Sequence, residues 1–498
     1  MLLTAEMLLN YQRCSRRVFL DTYGKAERKD AISDYVLKLF QDSAQHHKAV
    51  LGEEGHVRPS FSKGKWQEGT EATQALMAQG VERIYQGVLW FEAGDTAFLS
   101  VPDLLLKVPG QSIYGDWLYM PVEIKLSKRA KTEYQTTLAY HVKVLAQIQG
   151  SWPEEAWLQV KDRPNPYVID LWEMLPRMEV ILEELQTMLR DRHQPEVFIS
   201  RNRCSLCQWY GHCYDEASDR GHLSLLPGVT QTRYKELVGM GVTTLEDLAQ
   251  MPPRTLELTP GFGLETGMRL VRQAQATLHN QALPGDDFPQ GGKEMRLWEQ
   301  MVPTHSVELY FDVESEPSLD LIYLHGVLVV DRVNQTQTFH ALLGETVEEE
   351  PIVWQKFLDL VWAYPTAPIF HFCPYEVQVV GKLAKLYGTP EHLVQPLYPR
   401  FVDLHDRITR LATLPIENYA LKNIARWMGF DWRDANANGA QSIYWYAQWL
   451  ETGDRTHLEA IVTYNEDDCR ATYHIKEWIT AFLKTAAVGA NRDAAIPA

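Results

Sequence analysis

The sequence has few cysteines, no long hydrophobic run and no excess of positive charge. Six of its 498 residues are cysteine, which does not suggest a disulfide scaffold in so long a chain. No apolar stretch approaches the roughly 20 residues that a membrane helix needs, and the first residues lack a secretory signal pattern. We therefore expect a cytoplasmic protein. The net charge of -17 argues against coating of nucleic acid by bulk attraction.

The composition is that of an ordinary globular protein, with 45% hydrophobic and 23% charged residues, and the length predicts two to four domains. Strand and helix patterns divide the chain into four segments with α/β character at both ends. We predict a mixed domain over residues 1–220, a helical segment over 221–280, a turn-rich linker over 281–304 and an alternating α/β domain over 305–498.

Four of the six cysteines have a spacing that is typical of a metal centre. They are Cys14 and the C-x2-C-x5-C run formed by Cys204, Cys207 and Cys213. Several thiolates converging on one point form a soft metal site, whose binding energy is partly folding energy. The alternative is four ordinary buried thiols. Cys373 and Cys469 are expected to be core thiols.

A hairpin in the first domain carries the first acidic motif. Residues 98–108 and 117–126 are predicted strands, so Asp103 and Glu123 fall on neighbouring strands and can share a hard cation such as Mg or Mn. Lys125 lies two residues after Glu123 and therefore on the same face of its strand. Its charge can orient and acidify an attacking water. A helix is predicted next, over about 132–149.

The last domain carries a second acidic motif. Asp312 and Glu314 lie two residues apart on a predicted strand, and Tyr464 and Asp468 lie four apart on a predicted long helix. Brought together, the two elements could bind two metal ions roughly 4 Å apart and clamp a phosphodiester.

The middle segment resembles helix-hairpin-helix DNA-binding units. The resemblance rests on residues 226–248, with a second copy starting near 260–263. In such units glycine-containing turns bring backbone N–H groups close to a phosphate. The alternative is a helical spacer with glycines at its helix ends.

The first domain also resembles a known nuclease group. The motifs in chain order are Cys14-Ser15-Arg16-Arg17, His47, Val101-Pro102-Asp103-Leu104-Leu105, Val122-Glu123-Ile124-Lys125, Tyr140 and the three clustered cysteines. About residues 1–215 thereby resemble the RecB-like nucleases of the PD-(D/E)XK class, with a restriction-endonuclease-like fold and a cysteine-held iron-sulfur cluster (4Fe-4S). AddB-type and CRISPR-associated exonucleases belong to this group.

The resemblance implies a role for each matching residue. It implies metal binding by His47, Asp103 and Glu123, a catalytic role for Lys125 and Tyr140, and cluster ligation by the four cysteines. His46 competes for the role of His47.

The chain departs from the family on the helix that carries Tyr140. The family has Gln four residues before the tyrosine, where this chain has Thr136, and Gln135 is one step off that helical face.

The last domain resembles the ribonuclease-H-like exonucleases of the DEDD group that have a tyrosine in their last motif. By that resemblance Asp312, Glu314 and Asp468 are metal ligands, and Tyr464 positions the water. The family's middle motif has Asp where this chain has Glu376. The role of Asp403, at another strand end, stays open.

In sequence order the whole chain resembles a bacterial family of RecB-like nucleases with a C-terminal ribonuclease-H-like domain. The resemblance implies a metal-dependent nuclease or exonuclease acting on single-stranded DNA or DNA ends in repair, recombination or defence. RNA is a further possible substrate. No ATPase P-loop is present, so unwinding would need a partner such as a helicase. Two alternatives are a nucleic-acid-binding adaptor with decayed nuclease folds, and zinc in place of the iron-sulfur cluster.

Overall fold

The computed structural model describes residues 1–52, 55–289 and 292–493. The chain forms two compact units, Met1–Glu216 and Ala217–Ala498, and both are α/β with mixed sheets. Residues 290 and 291 of the predicted linker, and 494–498 of the predicted last domain, lie outside the described residues. Within the described ranges, no helix combines the length and apolar character that a bilayer crossing requires.

The described residues of the first unit form eight strands and, with α8 running past its end, eight α-helices. They are β1 Leu2–Thr4, α1 Ala5–Arg13, α2 Ser15–Tyr23, a 3-10 turn Ala26–Arg28, α3 Asp34–Leu51, α4 Trp66–Ala78, β2 Arg83–Tyr85, β3 Leu89–Ala93, β4 Thr96–Ser100, β5 Leu104–Ser112, β6 Gly115–Lys125, α5 Thr132–Gln149, β7 Trp157–Val160, β8 Tyr167–Val168, α6 Leu171–Arg190, α7 Arg201–Cys204 and α8 Tyr210–Asp219.

The main sheet of this unit has the order β2-β5-β6-β7-β8. β5 and β6 form an antiparallel hairpin, and β6 runs parallel to β7 through the crossover helix α5. The sequence predicts one strand over 98–108, but the structure has two. β4 pairs with β1 and β3, whereas β5 pairs with β2 and β6. Pro102 lies in the break, since it has no N–H to give to a ladder.

Helix α5 is the central helix of the first unit. Its bounds are those predicted from the sequence, and it ends at Gly150, whose φ of +69° is accessible to glycine at little cost. Side chains are buried on all of its faces, among them Leu138, Tyr140 and Leu145. Helix α5 packs beside strand β6.

The second unit begins with short helices and continues into a five-stranded sheet. Its elements are a 3-10 turn Leu223–Leu225, α9 Gln231–Gly239, α10 Leu245–Gln250, α11 Pro253–Glu257, α12 Leu264–His279, β9 Leu283–Pro284, α13 Gly292–Met301, β10 Val307–Glu316, β11 Leu321–Asp331, β12 Thr336–Leu343, a 3-10 turn Val347–Glu349, α14 Glu350–Ala363, β13 Ile369–His371, α15 Tyr375–Leu386, α16 Glu391–Val394, a 3-10 turn Gln395–Arg400, β14 Phe401–Asp403, α17 Leu404–Leu411, β15 Ala412–Thr413, α18 Leu421–Trp427, α19 Gly439–Thr452 and α20 Arg455–Asp493.

This sheet has the order β12-β11-β10-β13-β14, with β10 at its centre. β12, β11 and β10 form an antiparallel meander, and β13 and β14 run parallel to β10. Asp312 on β10 lies opposite Gly326 on β11. A Cβ at Gly326 would lie 1.7 Å from Asn465 Oδ1 of α20, so glycine there allows α20 to lie close against the two strands.

The segment predicted to be a turn-rich linker contains regular structure. β9 pairs with β15, and α13 brings Trp298 into the core of the second unit, followed by the buried Val302. The glycines and prolines of this segment indicated turns, but the burial of Trp298 provides the apolar contact that stabilises a short helix.

Candidate functional site

Three carboxylates meet on the central strand of the second unit. Asp312 and Glu314 of β10 and Asp468 of α20 each place an oxygen within 4.8 Å of the others. Among the described residues, no other three acidic, histidine or cysteine side chains converge this closely. Asp312 and Glu314 share one face of the strand because they lie two residues apart, as the sequence predicted, and Asp468 comes from the predicted helix.

The electrostatics of this triad fit a cation. Burial, then the charges of Asp468, Glu314 and Glu376, raise the pKa of Asp312 well above its usual range. Burial and Asp468 raise the pKa of Glu314 to about 8, and burial raises that of Asp468 to about 7. Carboxylates that are shielded from water and repel one another are stabilised when a divalent ion binds between them. The three residues could therefore hold Mg or Mn.

Neighbouring side chains fix the triad's oxygens. Asn465 Nδ2 donates to Asp312 Oδ2 at 2.6 Å, and Trp432 Nε1 donates to Asp468 Oδ1 at 2.7 Å. Tyr464 hydrogen-bonds to Asp468 through its side chain. Asn465 and Trp432 were missed in the sequence, although Asn465 stands directly after Tyr464.

Glu376 and Asp403 lie near the triad in different roles. Glu376 is 4% exposed, sits 3.5 Å from His371 Nδ1, and its charge reaches Asp312. Asp403 caps α17, since its Oδ1 accepts the N–H groups of His405 and Asp406. The same oxygen accepts the N–H of Cys373 at 3.1 Å. Asp403 therefore supports the backbone that leads to Glu376.

A second acidic cluster lies on the hairpin of the first unit. Asp103 Oδ2 accepts the Ile124 N–H at 2.7 Å and lies 3.3 Å from Lys125 Nζ, which also contacts Glu123 Oε2. Burial and the charge of Glu123 raise the pKa of Asp103 to about 7, despite Lys125. Burial opposes ionisation of Glu123, yet Lys125 and a histidine, His141, outweigh it and lower the pKa of Glu123.

Two histidines flank this cluster, one of them expected. His47 of α3 places Nδ1 4.0 Å from Asp103 Oδ1. His46 hydrogen-bonds to the backbone of Lys125, and burial, then the charge of Lys161, lower its pKa. The geometry therefore brings His47 to Asp103. His141, which sequence reasoning missed, contacts Glu123 Oε1 through Nε2 at 2.5 Å, and Ser100 Oγ lies 2.6 Å from its Nδ1.

The structure does not bring Tyr140 into this cluster. Its hydroxyl donates to the carbonyls of Leu3 and Leu99, and its side chain is fully buried. Thr136 is buried and bonds to the Thr132 carbonyl, and Gln135 Nε2 donates to the Ala130 carbonyl. The helix face that the resemblance assigns to DNA contact thus meets protein at Tyr140, and His141, one residue later, meets the site.

The four clustered cysteines lie near one another in the first unit. All six cysteines of the chain, each within the described residues, are free thiols. Burial raises the pKa of Cys204, Cys207 and Cys213, the last to about 11, and the nearby Cys14 adds to each increase. Cysteine thiols are the donors of soft metal centres, although among the described residues no three of these thiols converge as closely as the acidic triad does.

Long-range hydrogen bonds fasten the cysteine run to the N-terminal helices. Arg203 donates to the Arg13 carbonyl at 2.9 Å, and Trp209 Nε1 donates to Asp21 Oδ1 at 3.0 Å. The backbones of Asp30 and Gln208 also bond at 2.7 Å. These contacts bring Cys14 back across about 190 residues of chain to the other three.

In the helical hairpins of the second unit, side chains of the protein itself bond to backbone groups of the turns. In the first hairpin the Asp247 carboxylate accepts the N–H groups of Thr243 and Thr244. Arg233 donates to the carbonyls of Gly228 and Gly261, so it ties two glycine turns together. The Asp247 carboxylate therefore already occupies the backbone N–H groups at the start of α10.

A comparison with known families agrees with the triad of Asp312, Glu314 and Asp468. The model of the RNase_H superfamily matches residues 309–480, a range that includes Asp312, Glu314, Tyr464 and Asp468. No curated protein matches the chain. The chain therefore has a C-terminal ribonuclease-H-like domain, a nuclease-type fold that is generally metal-dependent.

Proposed function

We propose that the chain is a metal-dependent nuclease that hydrolyses phosphodiester bonds of DNA, single-stranded or at ends. The observation that carries this proposal is the largely buried triad of Asp312, Glu314 and Asp468, each of which places one oxygen within 4.8 Å of the others in a ribonuclease-H-like domain. A bound Mg or Mn supplies charge stabilisation on the phosphate and acidifies a water.

Neighbouring side chains position the carboxylates of the triad and are proposed to position the attacking water. Asn465 and Trp432 hold Asp312 and Asp468 by one hydrogen bond each, so the ligand oxygens are fixed before substrate binds. Tyr464 hydrogen-bonds to Asp468 and is proposed to position the attacking water. Glu376 is proposed as the fourth acidic group, since its charge reaches Asp312 from α15.

We propose the Asp103 cluster as a second hydrolytic site. Lys125 lies between Asp103 and Glu123, which would hold a metal ion, and its positive charge would orient and acidify the attacking water. His141 orients Glu123 from the buried side. His47 approaches Asp103 from α3 and is proposed as a further ligand.

The four clustered cysteines are proposed to hold an iron-sulfur cluster (4Fe-4S) that fastens the first unit. Anaerobic purification should give a brown protein with broad visible absorbance, and serine at Cys204 should abolish the colour. A colourless protein containing stoichiometric zinc would exclude the iron-sulfur cluster.

The nuclease proposal is tested by cleavage of end-labelled single-stranded DNA with Mn²⁺, with an RNA strand of the same sequence beside it. Asp312→Ala should leave only the cleavage that the Asp103 cluster performs, and Asp312→Ala combined with Lys125→Ala should lower the rate by about 100-fold or more. Lys125→Ala tests the second site, and Glu459→Ala, an exposed carboxylate on α20, is the control. Tight DNA binding without cleavage in Mg²⁺ or Mn²⁺ would support the adaptor instead.

A further inference from the structure

An aromatic residue stands beside the Asp103 cluster with two exposed basic side chains against it. Tyr85 ends β2, next to the start of β5. Its hydroxyl lies 3.5 Å from His47 Nδ1, and His47 lies 4.0 Å from Asp103. His56 meets the ring edge-on at 5.3 Å between centroids, and the Arg58 guanidinium lies 6.0 Å from the ring centroid.

The backbone explains why both basic side chains reach the same ring. Val57 forms an isolated parallel bridge with Ile84, donating its N–H to the Arg83 carbonyl and accepting the N–H of Tyr85. Side chains alternate along an extended segment, so His56 and Arg58 point to one face and Val57 to the other. The bridge therefore holds both basic groups beside Tyr85.

In the described part of the chain Arg58 has no carboxylate partner, and its guanidinium lies over the Tyr85 ring. It is exposed, as is His56. Many other basic groups of this acidic protein are paired with acids, for example Lys107 with Glu82. An unpaired guanidinium beside a candidate hydrolytic site suits the planar, bidentate geometry of a phosphate.

We propose that Arg58, His56 and Tyr85 form a subsite for the phosphodiester next to the one that is cleaved at Asp103 and Glu123. The inference rests on the nuclease function proposed for that cluster. One aromatic ring and one imidazole separate Arg58 from Asp103, so the group lies beside the cleavage position. Arg58 binds the phosphate oxygens, His56 adds a second donor, and Tyr85 is a positioning residue that holds Arg58, His56 and His47 in place.

The test measures binding separately from cleavage. The full-length protein is titrated into a fluorescein-labelled single-stranded oligonucleotide, with Ca²⁺ in place of Mn²⁺, at several salt concentrations. Arg58→Ala should weaken binding about fivefold, as expected for loss of one phosphate contact. It should also reduce the slope of log affinity against log salt by about 0.7, and Arg58→Lys should restore the slope.

A matched control comes from the other edge of the same sheet. Arg163 lies 3.5 Å over the ring of Tyr167 on β8, an equivalent exposed arginine–tyrosine pair. Arg163→Ala should leave affinity and salt slope unchanged. Tyr85→Phe should keep the salt slope, and Tyr85→Leu should weaken binding as much as Arg58→Ala. Circular dichroism of each variant checks folding.

Cleavage in the Asp312→Ala background separates the two proposals. There Arg58→Ala should raise KM several-fold and leave kcat nearly unchanged, because Arg58 does not touch the reacting phosphate. Equal affinity and equal salt slope in Arg58→Ala and wild type would overturn the subsite. A wild type that binds the strand and never cleaves would remove the nuclease function, while the binding data would still decide on the subsite. A wild type that binds no strand overturns both.

Discussion

The two acidic clusters balance their charge in opposite ways. In the first unit, Lys125 lies between Asp103 and Glu123, and His141 covers the far side of Glu123. In the second unit, Asp312, Glu314 and Asp468 face one another, and burial with mutual repulsion raises the pKa of Asp312 and Glu314. The first cluster is neutralised largely by the protein, whereas the second is proposed to bind a cation from solution.

The largest effect that we expect from this difference in charge balance is on the free energy of unfolding of the metal-free protein. Glu123→Ala leaves the buried His141 and the quarter-exposed Lys125 without their shared carboxylate, so it should destabilise the first unit by about 3 kcal/mol. Urea unfolding of the metal-free chain measures this, with the exposed Glu154→Ala as control. Equal midpoints for Glu123→Ala and Glu154→Ala would contradict the charge balance described for the first unit.

The pH dependence should differ as well. Glu314 has a pKa of about 8 in the folded, metal-free protein, so between about pH 4.5 and 8 the folded state binds more protons than the unfolded state. Its contribution to stability is therefore present at low pH and is lost as the pH rises through that window, by roughly 2–4 kcal/mol. Glu314→Gln should flatten this loss in metal-free unfolding between pH 5 and 8. If the free energy of unfolding had the same pH dependence in wild type and Glu314→Gln, the raised pKa of Glu314 would be refuted.

A smaller effect is expected from the groups that orient the triad. Asn465→Ala removes the hydrogen bond to Asp312 and should weaken Mn²⁺ binding by about 10- to 100-fold. Titration calorimetry measures it, and Asn334→Ala in the turn after β11 is the control, since its side chain bonds only to Asp331 in the described structure. Mn²⁺ affinity unchanged in Asn465→Ala would mean that Asp312 needs no positioning partner.

The smallest effect concerns Tyr140. Its hydroxyl bonds only to backbone carbonyls in the described residues, so Tyr140→Phe should cost about 1 kcal/mol of stability and leave cleavage unchanged. Thermal unfolding and the cleavage assay together check this. A tenfold loss of cleavage at unchanged stability would instead restore the catalytic role that the resemblance implies.

Local sequence patterns predicted the parts of the fold that have a clear period. Helix α5 and the start of β10 were found from alternation and apolar spacing, and the two-residue spacing of Asp312 and Glu314 placed both on one face. The ribonuclease-H-like character of the last domain is confirmed by the family match. These features could be predicted because they depend on residues that are close to one another in the sequence.

Features that depend on distant partners were not predicted. The break between β4 and β5 arises because each pairs in a different sheet. His141 differs from Tyr140 by one helical step, and only the packing of α5 shows which of them faces Glu123. Helix α13 in the predicted linker depends on the burial of Trp298 by residues far along the chain.

The most direct test of the central claim is Mn²⁺ binding by the full-length protein, counted by equilibrium dialysis for wild type, Asp312→Asn and Glu459→Ala. The triad predicts that Asp312→Asn loses at least one bound Mn²⁺ that Glu459→Ala retains. Equal numbers of bound Mn²⁺ at equal affinity in all three proteins would contradict a metal site formed by Asp312, Glu314 and Asp468.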